Sequence, residues 1–427
     1  MKKNAWAFIP TLYLAEGLPY IIINVVSTVL YAKLDYPNDA ITFWTGFLYL
    51  PWVLKMFWSP FVDARSTKRK WLIGAQTGIS LVFLAIAALL GYQLFLQHTL
   101  SDNMTFFNLS LICFFIGAFV SATLDIATDG YYMLALNEHQ QSAFVGIRTI
   151  FYRLAMILGN GVLLSATAWL TKVAHQYDWA IMFGFLSLVF AGFAFYHAYI
   201  LPKPASDGPA ENALQTVWAD AFKTYFTQKN LLYILLFILL YRIGDALLEK
   251  TVPLFLLKEM EIPLDKYGFI KGILGLGGLI AGNLLGGWAL GKYGFKKCIW
   301  PFAILLNLPN LFYAYIALVR PNLPIIATLI TIENLGYGMA MMAFSVFVMY
   351  ISQGAYKTSH YAISTGIMAL GMMLPSMFSG WLQIKIGYAP FFIATSLISL
   401  VALSVVPFSQ RVEILEEAEK RFKKQDN

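Results

Sequence analysis

Twelve stretches of mostly apolar residues follow one another along the chain, and they leave it few possible folds. A helix needs about 20 such residues to cross the hydrocarbon core of a bilayer, and most of the stretches reach about this length. They lie at residues 5–32, 43–62, 71–96, 106–134, 144–170, 179–201, 231–257, 267–290, 299–319, 325–351, 361–386 and 391–406. The pattern predicts an all-α integral membrane protein with twelve transmembrane helices.

The composition supports a protein that crosses the membrane many times. Hydrophobic residues make up 59% of the chain and charged residues only 12%. Soluble globular proteins carry about 25% charged residues, so a soluble protein is excluded.

The distribution of lysine and arginine predicts the orientation in the membrane. These residues concentrate at 65–70, 203–229, 292–297 and 411–424. With twelve helices these segments share one face, which the positive-inside rule makes cytoplasmic, so both chain ends are predicted there. The net charge of +7 follows from these segments, and it indicates no nucleic-acid partner. Glu16, Pro19 and Asn24 interrupt the first stretch, so we interpret it as a helix rather than a cleaved signal peptide.

A polar segment divides the helices into two sets of six. Residues 202–228 contain several prolines and many charges, and they form the longest interior segment without an apolar run. A shift of 228 residues places Tyr13 on Tyr241 and Gly17 on Asp245, which indicates a weak internal repeat. The sequence therefore predicts a six-helix bundle at 1–201, a cytoplasmic linker at 202–228, a second bundle at 229–408 and a cytoplasmic tail at 409–427.

Charged residues inside the apolar stretches are the main functional signal. One unpaired charge at the bilayer centre costs about 2.5–3.5 kcal/mol on insertion scales. Such residues are therefore expected to pair, or to face a water-filled pathway where the two bundles meet. They are Glu16, Asp125, Asp129, Arg148, Arg153, Arg242, Asp245, Glu249, Lys271 and Glu333.

Two acids and two arginines on the fourth and fifth helices suggest proton handling. Asp125 and Asp129 lie one turn apart on one helix face, where mutual repulsion makes a protonated form accessible. Counting from the hairpin places Asp129 level with Arg148 and Asp125 level with Arg153. The two arginines point about 140° apart, so at most one can face both acids, and we favour Arg153. A static salt bridge between the two helices is the alternative.

The seventh helix carries a second charged stripe. Arg242, Asp245 and Glu249 recur at intervals of three and four residues, so they share one face. If Arg242 pairs with Asp245, Glu249 needs another counter-ion, which would be Lys250 or Lys271. The alternative is that Glu249 and Lys250 lie in water at the outer rim.

We assign predicted roles to three sets of residues. The proton-coupling set is Asp125, Asp129, Asp245, Glu333 and Glu16. The substrate-binding set is Lys55, Arg153, Arg242, Lys271, Tyr13, Tyr20 and Asn334, in which the two tyrosines would stack on sugar rings. The gating set is Asp63, Arg65, Arg148 and Lys292, which would latch the cytoplasmic helix ends, although the bases alone could serve only to set orientation.

Loop and helix motifs carry a family resemblance. The glycines and bases at 287–297 resemble the loop after the second helix of a half in the major facilitator superfamily. Several short motifs are similar to those of the AmpG muropeptide permeases, to which acetyl-CoA transporters are related. These motifs are Gly17-Leu18-Pro19, Lys55-Met56-Phe57-Trp58-Ser59-Pro60 with Asp63, Leu124-Asp125-Ile126 with Asp129, Tyr152-Arg153-Leu154, Arg242-Ile243-Gly244-Asp245-Ala246 and Glu333-Asn334-Leu335.

The resemblance implies proton-driven import of anhydro-muropeptides, which are anionic sugar-peptides, across a bacterial inner membrane for cell-wall recycling. It implies roles for Lys55, Asp125, Asp129, Arg153, Arg242, Asp245 and Glu333, and the expected partners are substrate, protons and lipid, with the protein as a monomer. Another organic anion, such as an acyl-CoA, a siderophore or a peptide, is the alternative cargo. An intramembrane enzyme is disfavoured because the chain has no zinc-protease motif and no deep histidine, and we predict no metal and no cofactor.

Overall fold

The structure is a computed structural model that describes residues 4–96, 103–204, 207–208, 214–352 and 357–411. All regular secondary structure within these ranges is helical, which confirms the predicted fold class. Eleven segments there are long and apolar enough to cross a membrane. One of them, Gly146–Ile200, has 55 residues and contains a short 3-10 helix at His175–Tyr177, so it is long enough for two passes and agrees with the predicted twelve.

The α-helices of the first part of the chain are α1 (Ile9–Ile21), α2 (Ser27–Lys33), α3 (Asn38–Phe47), α4 (Leu50–Arg65), α5 (Lys68–Phe95), α6 (Met104–Ala135), α7 (Glu138–Ile157), α8 (Leu164–Ala174), α9 (Asp178–Ile200) and α10 (Leu214–Phe226). Those of the second part are α11 (Leu231–Leu240), α12 (Ile243–Leu254), α13 (Leu264–Tyr267), α14 (Leu276–Tyr293), α15 (Phe295–Asn307), α16 (Asn310–Val319), α17 (Leu323–Ile351), α18 (Lys357–Ile386), α19 (Tyr388–Ser404) and α20 (Val406–Gln410).

The chain forms two compact units. Unit 1 comprises Met1–Pro37, Phe57–Leu214 and Glu261–Gly272, and unit 2 comprises Asn38–Met56, Gln215–Met260 and Ile273–Asn427. Neither unit is continuous in sequence. The boundaries proposed from the sequence remain a prediction, and the units differ from them because 38–56 belongs to unit 2 and 261–272 to unit 1.

Each unit has its own apolar core. In unit 1 the core joins α1 to α6 through Phe8, Leu12 and Tyr131, all fully buried. In unit 2 aromatic rings of α11 and α17 pack together, and the ring centroids of Phe237 and Phe347 lie 4.4 Å apart. These cores hold the helices that carry the charged residues.

Glycines allow α14 and α17 to cross closely in unit 2. A Cβ atom on Gly286 would lie 2.8 Å from Met339 Cα, and one on Gly282 would overlap the Leu335 carbonyl. Such spacing lets backbones approach within a membrane. Gly282 and Gly286 therefore serve the packing of α14 against α17.

Several membrane helices are interrupted. Leu48 and Tyr49 separate α3 from α4, Tyr241 and Arg242 separate α11 from α12, and π-helical turns occur at Ile22–Val26, Leu158–Leu163, Phe255–Glu259 and Gly268–Gly275. Within a membrane such breaks occur where the freed backbone is buried in protein or lines a cavity, and π-turns are frequent at functional sites. The breaks mark the regions described next.

Candidate transport site

The first charged group in unit 1 joins α1, α6 and α7. Arg148 Nη1 lies 3.2 Å from Asp129 Oδ1, and the Tyr13 hydroxyl donates to the same oxygen at 3.0 Å. Arg148 also donates to the Tyr13 oxygen at 3.1 Å, and its guanidinium lies 5.0 Å from the centroid of the Tyr132 ring. We call Tyr13, Asp129, Tyr132 and Arg148 the aspartate 129 group. Its ion pair is only partly buried, with 34% of the Arg148 and 51% of the Asp129 side chain exposed.

Local sequence explains why these three helices meet. A Cβ on Gly17 would lie 2.8 Å from Ala155 Cβ, so glycine at this position lets α1 approach α7. A capping box formed by Asn137 and Gln140 starts α7 directly after α6. Tyr13 lies one turn before Gly17 on α1 and therefore reaches the facing helices.

A second set of predicted residues surrounds Tyr152 of α7. The charges and dipoles that act on its hydroxyl come from Tyr20, Glu16, Asp125 and Arg153. Glu16 also acts on Tyr13, so it is near both this set and the aspartate 129 group. The structure therefore brings five predicted residues of unit 1 into one region: Tyr13, Glu16, Tyr20, Asp125 and Arg153.

The arginine that pairs with Asp129 is Arg148. Arg153, which the sequence analysis favoured as the partner of both acids, instead has its Nη1 3.8 Å from Met156 Sδ and shares the surroundings of Tyr152. The two arginines have different surroundings because they point in different directions on α7. Sequence analysis did not single out Tyr152 as a site residue, although it belongs to the motif Tyr152-Arg153-Leu154.

A buried charged group lies at the start of α12 in unit 2. Arg242 Nη2 donates to Asp245 Oδ2 at 2.8 Å and to the Tyr337 hydroxyl at 2.6 Å. The guanidinium also lies over the Tyr337 ring, 5.2 Å from its centroid. We call Arg242, Asp245 and Tyr337 the arginine 242 group. Only 8% of the Arg242 and 17% of the Asp245 side chain is exposed.

The helix break before α12 determines this geometry. Arg242 is the N-cap residue and Asp245 lies in the first turn, where the helix dipole favours a negative charge. Gly244 lets this end pack on α16 and α19, because a Cβ there would lie 2.8 Å from Asn310 Nδ2. The sequence analysis missed Tyr337, and its signal would have been the spacing of four residues from Glu333 on α17.

Glu333 has neutral partners in unit 2. Its Oε2 accepts from the Tyr313 hydroxyl at 3.0 Å and from Asn334 Nδ2 at 2.9 Å. Because Glu333 and Tyr337 are one turn apart, both lie on the same face of α17. Glu333 is thus hydrogen-bonded close to the arginine 242 group.

The remaining predicted residues are more scattered. Lys55 is half-buried on α4 in unit 2, and Lys271 is half-buried in the π-helical turn Gly268–Gly275 in unit 1. Arg65 and Lys292 lie over aromatic rings at helix ends, 5.7 Å from the Phe61 centroid and 5.1 Å from the Trp288 centroid. The Asp63 side chain lies outside the described atoms, so the predicted latch stays a prediction.

The linker contributes a contact that the sequence analysis did not foresee. Asp207 accepts hydrogen bonds from the backbone amides of Lys68 at 2.6 Å and Arg69 at 3.1 Å. These amides lie in the first turn of α5, where backbone amides have no partner within the helix and a carboxylate is favoured. The contact ties part of the linker to the basic loop of unit 1.

The family comparison decides the class of protein. A profile described as Major Facilitator Superfamily matches residues 11–374. The chain belongs to this superfamily. It is therefore a multi-pass membrane transporter of small molecules rather than an enzyme. This confirms the expectations that the protein is a transporter and that it is not an enzyme.

Named relatives show what the superfamily member is similar to. It is 26% identical to the anhydromuropeptide permease of Escherichia coli (strain K12) over 352 residues, which cover 80% of this chain and 67% of that protein. It is 25% identical to putative transporter AmpG 3 of Rickettsia prowazekii (strain Madrid E) over 375 residues, covering 83% and 84% of the two chains.

Two solved transporter structures share the fold of this chain. The crystal structure of a D-xylose-proton symporter has a TM-score of 0.71 at 14% identity, covering 95% of this chain and 97% of that one. The crystal structure of the nucleoside transporter NupG has a TM-score of 0.69 at 15% identity, covering 94% and 97%. At these identities the likeness concerns the fold alone.

Proposed function

We propose that this transporter imports anhydromuropeptides across a bacterial inner membrane together with protons, as a monomer with both chain ends in the cytoplasm. The observation that carries the proposal is the similarity to the anhydromuropeptide permease, which extends over 80% of the chain. The two charged groups supply the chemistry that an anionic sugar-peptide and a proton would require.

Arg242 is the proposed ligand for a substrate carboxylate. Its Nη2 donates hydrogen bonds to Asp245 and Tyr337, while its buried Nε has no hydrogen-bond partner among the described atoms. A guanidinium binds carboxylates through two parallel N–H donors, so a substrate carboxylate could complete its hydrogen bonds. We assign supporting substrate contacts to Lys55, Lys271, Arg153 and Asn334, and stacking on sugar rings to Tyr13 and Tyr20.

Asp129 is the proposed proton carrier of unit 1. Its Oδ1 accepts from both Tyr13 and Arg148, so a proton on Asp129 would weaken the links to α1 and α7 together. Exposure of about half of its side chain gives the proton access to water. Asp125 and Glu16 supply further acids in the same unit, and Asp245 and Glu333 supply them in unit 2.

The release of Arg148 is the proposed link between proton and conformation. Once Asp129 is neutral, Arg148 loses its counter-ion and can exchange it for water or substrate. A potential of 100 mV supplies about 2.3 kcal/mol per charge moved, which is about a fortyfold accumulation. Arg65, Asp63 and Lys292 remain the proposed latch of the cytoplasmic helix ends.

Uptake into proteoliposomes tests the function. With an acidic exterior, labelled anhydromuropeptide should accumulate inside, and a protonophore should abolish the accumulation. Unlabelled acyl-CoA, siderophore and unrelated peptides serve as competitors at the same concentration. Accumulation that a protonophore leaves unchanged would contradict the coupling, and stronger competition by one of the other anions would contradict the substrate.

A further inference from the structure

Tyr49, Glu249 and Lys250 form a largely buried group in unit 2 that contains none of the proposed site residues, and Glu249 itself is partly buried. The Tyr49 hydroxyl donates a hydrogen bond to Glu249 Oε1, and Lys250 Nζ lies over the Tyr49 ring, 5.0 Å from its centroid. Tyr49 is 7% and Lys250 only 1% exposed. We call these three residues the glutamate 249 group. A hydrogen bond to an ionised carboxylate is about twice as strong as one between neutral groups.

The break between α3 and α4 presents Tyr49 to α12. The Tyr49 amide donates to the Gly46 carbonyl at 3.1 Å and ends α3, and Pro51 lies in the first turn of α4, where it needs no amide hydrogen. Tyr49 therefore lies in the turn between the two helices. Glu249 and Lys250 follow one another on α12, and the first accepts from the Tyr49 hydroxyl while the second lies over the Tyr49 ring.

A row of hydrogen bonds and packing contacts leads from this group to the start of α3, where Lys258 Nζ donates to Asn38 Oδ1 at 3.3 Å. Asn38 Nδ2 donates to Gln383 Oε1 at 2.8 Å and to the Tyr388 hydroxyl at 2.9 Å. Farther along, the Gly380 amide donates to Thr42 Oγ1 at 3.1 Å, and a Cβ on Gly46 would lie 2.8 Å from Met377 Cγ. The segment from Asn38 to Tyr49 thus packs on α18 and ends at a charged hydrogen bond on α12.

The charges around Glu249 come mainly from its own helix. Arg242, Asp245 and Lys250 are the charged residues of this helix that act on Glu249, and the Tyr49 hydroxyl is its hydrogen-bond donor. Other described charged residues on the elements packed against α12 lie near the ends of those elements. They are Asp39 on α3, His360 and Lys385 on α18, Lys296 and Lys297 on α15, and Lys258 and Glu259 in the π-helical turn after α12.

We propose that Glu249 is a proton-binding residue whose ionised form holds the α3 segment against α12 and α18. Its second oxygen, Oε2, is buried and has no hydrogen-bond partner among the described atoms. A proton placed there would be a buried donor without an acceptor, and the remaining bond from Tyr49 would lose its charge. The packed arrangement is therefore stable when Glu249 is ionised and is weakened as the pH falls.

The direction of this pH effect suits an importer, and only this point rests on the proposed function. Under the predicted topology α3 starts at the outer face, so an acidic exterior would loosen the outer end of α3. Glu249 in unit 2 would then be a second proton-binding residue, besides Asp129 in unit 1. The proposed role of Glu249 is to position α3, without contact to the substrate.

Distances between two spin labels test the proposal without substrate. The labels are placed at Asp39→Cys and Lys385→Cys, both in unit 2, in a chain that also carries Cys113→Ser and Cys298→Ser. Purified protein in lipid nanodiscs is measured by double electron–electron resonance at pH 8 and pH 5. We expect a short distance at pH 8, and a longer-distance population that rises about tenfold relative to it at pH 5, which corresponds to about 1.4 kcal/mol.

Two variants and one control decide the outcome. Glu249→Gln mimics the protonated acid and should show the pH 5 distribution at both pH values, and Tyr49→Phe should raise the longer-distance population at pH 8. The control is Glu259→Gln, which should keep the wild-type response. Glu259 lies on the same membrane segment as Glu249, and its exposed carboxylate pairs with Arg320. Distances that do not change with pH, or a Glu249→Gln variant that responds like wild type, would overturn the proposal. Because no substrate is present, failure of the muropeptide assay leaves this result unaffected.

Discussion

The aspartate 129 group and the arginine 242 group use the same chemistry at different degrees of burial. In each group an arginine pairs with an aspartate and lies against a tyrosine ring. The Asp129 side chain is 51% exposed, whereas that of Asp245 is 17% exposed. An exposed pair contributes about 0–1 kcal/mol to stability, but breaking a buried pair costs about 3–5 kcal/mol. The first group is therefore suited to exchange protons, and the second to hold a guanidinium in a fixed orientation.

The largest effect is expected from Asp245→Asn, which leaves Arg242 buried without its counter-ion. We expect both lost uptake and a clear fall in the melting temperature of the detergent-solubilised protein, since the cost is about 3–5 kcal/mol. Replacing both residues by apolar ones, Arg242→Met with Asp245→Leu, should restore the melting temperature but not uptake. An Asp245→Asn protein as stable as wild type would show that the two groups do not differ in burial cost.

Asp129→Asn should separate transport from stability. Because the pair with Arg148 is exposed, we expect a change in stability of no more than about 1 kcal/mol. Proton-driven accumulation should nevertheless be lost, since asparagine cannot bind and release the proton. Exchange of substrate across the membrane without a pH gradient should persist and serves as the control. Full accumulation by this variant would remove Asp129 from the coupling.

Tyr337→Phe should have an intermediate effect. The variant removes the hydroxyl that accepts from Arg242 at 2.6 Å but keeps the ring beneath the guanidinium. A loss of about 1 kcal/mol, or roughly fivefold in the apparent affinity for substrate, is expected. Tyr315→Phe, a change at an exposed tyrosine on α16, is the matched control. An unchanged concentration for half-maximal uptake would show that Tyr337 does not orient Arg242.

Arg148→Lys should have the smallest effect of the four. Lysine keeps the charge next to Asp129 but loses the planar contact with the Tyr13 and Tyr132 rings. At an exposed site this contact contributes about 0.5–1 kcal/mol, so uptake should fall by about two- to fivefold. Initial uptake rates at saturating substrate measure it. A loss as large as that of Asp129→Asn would mean that the guanidinium itself, rather than its charge, is required.

Much of the charged architecture could be predicted from spacing. Asp125 and Asp129 were expected on one face of a helix, and Arg242 and Asp245 were expected to pair locally. Both expectations depend only on the helical repeat and on the high cost of a charge in hydrocarbon. The family and the class of transporter were indicated by the resemblance of the motifs around these residues to a known family.

Other features depended on contacts between distant segments. The tyrosines at 49, 152 and 337 carry no signal of their own, because a tyrosine in an apolar helix is far more often a packing residue. Which arginine pairs with Asp129 also depended on the rotation of α7 about its axis. The spacing of Arg148 and Arg153 showed only that the two could not face the same way.

The sequence by itself determined the apolar stretches and the charges that they carry, because both follow from local composition and helical periodicity. Only the tertiary structure decided how deeply each ion pair is buried, where α3 and α12 begin and end, and which tyrosine contacts which charge. These properties arise from packing between segments far apart in the chain. The helix breaks near Tyr49 and Arg242 are the clearest case, since neighbouring helices accommodate backbone that an isolated helix in lipid could not expose.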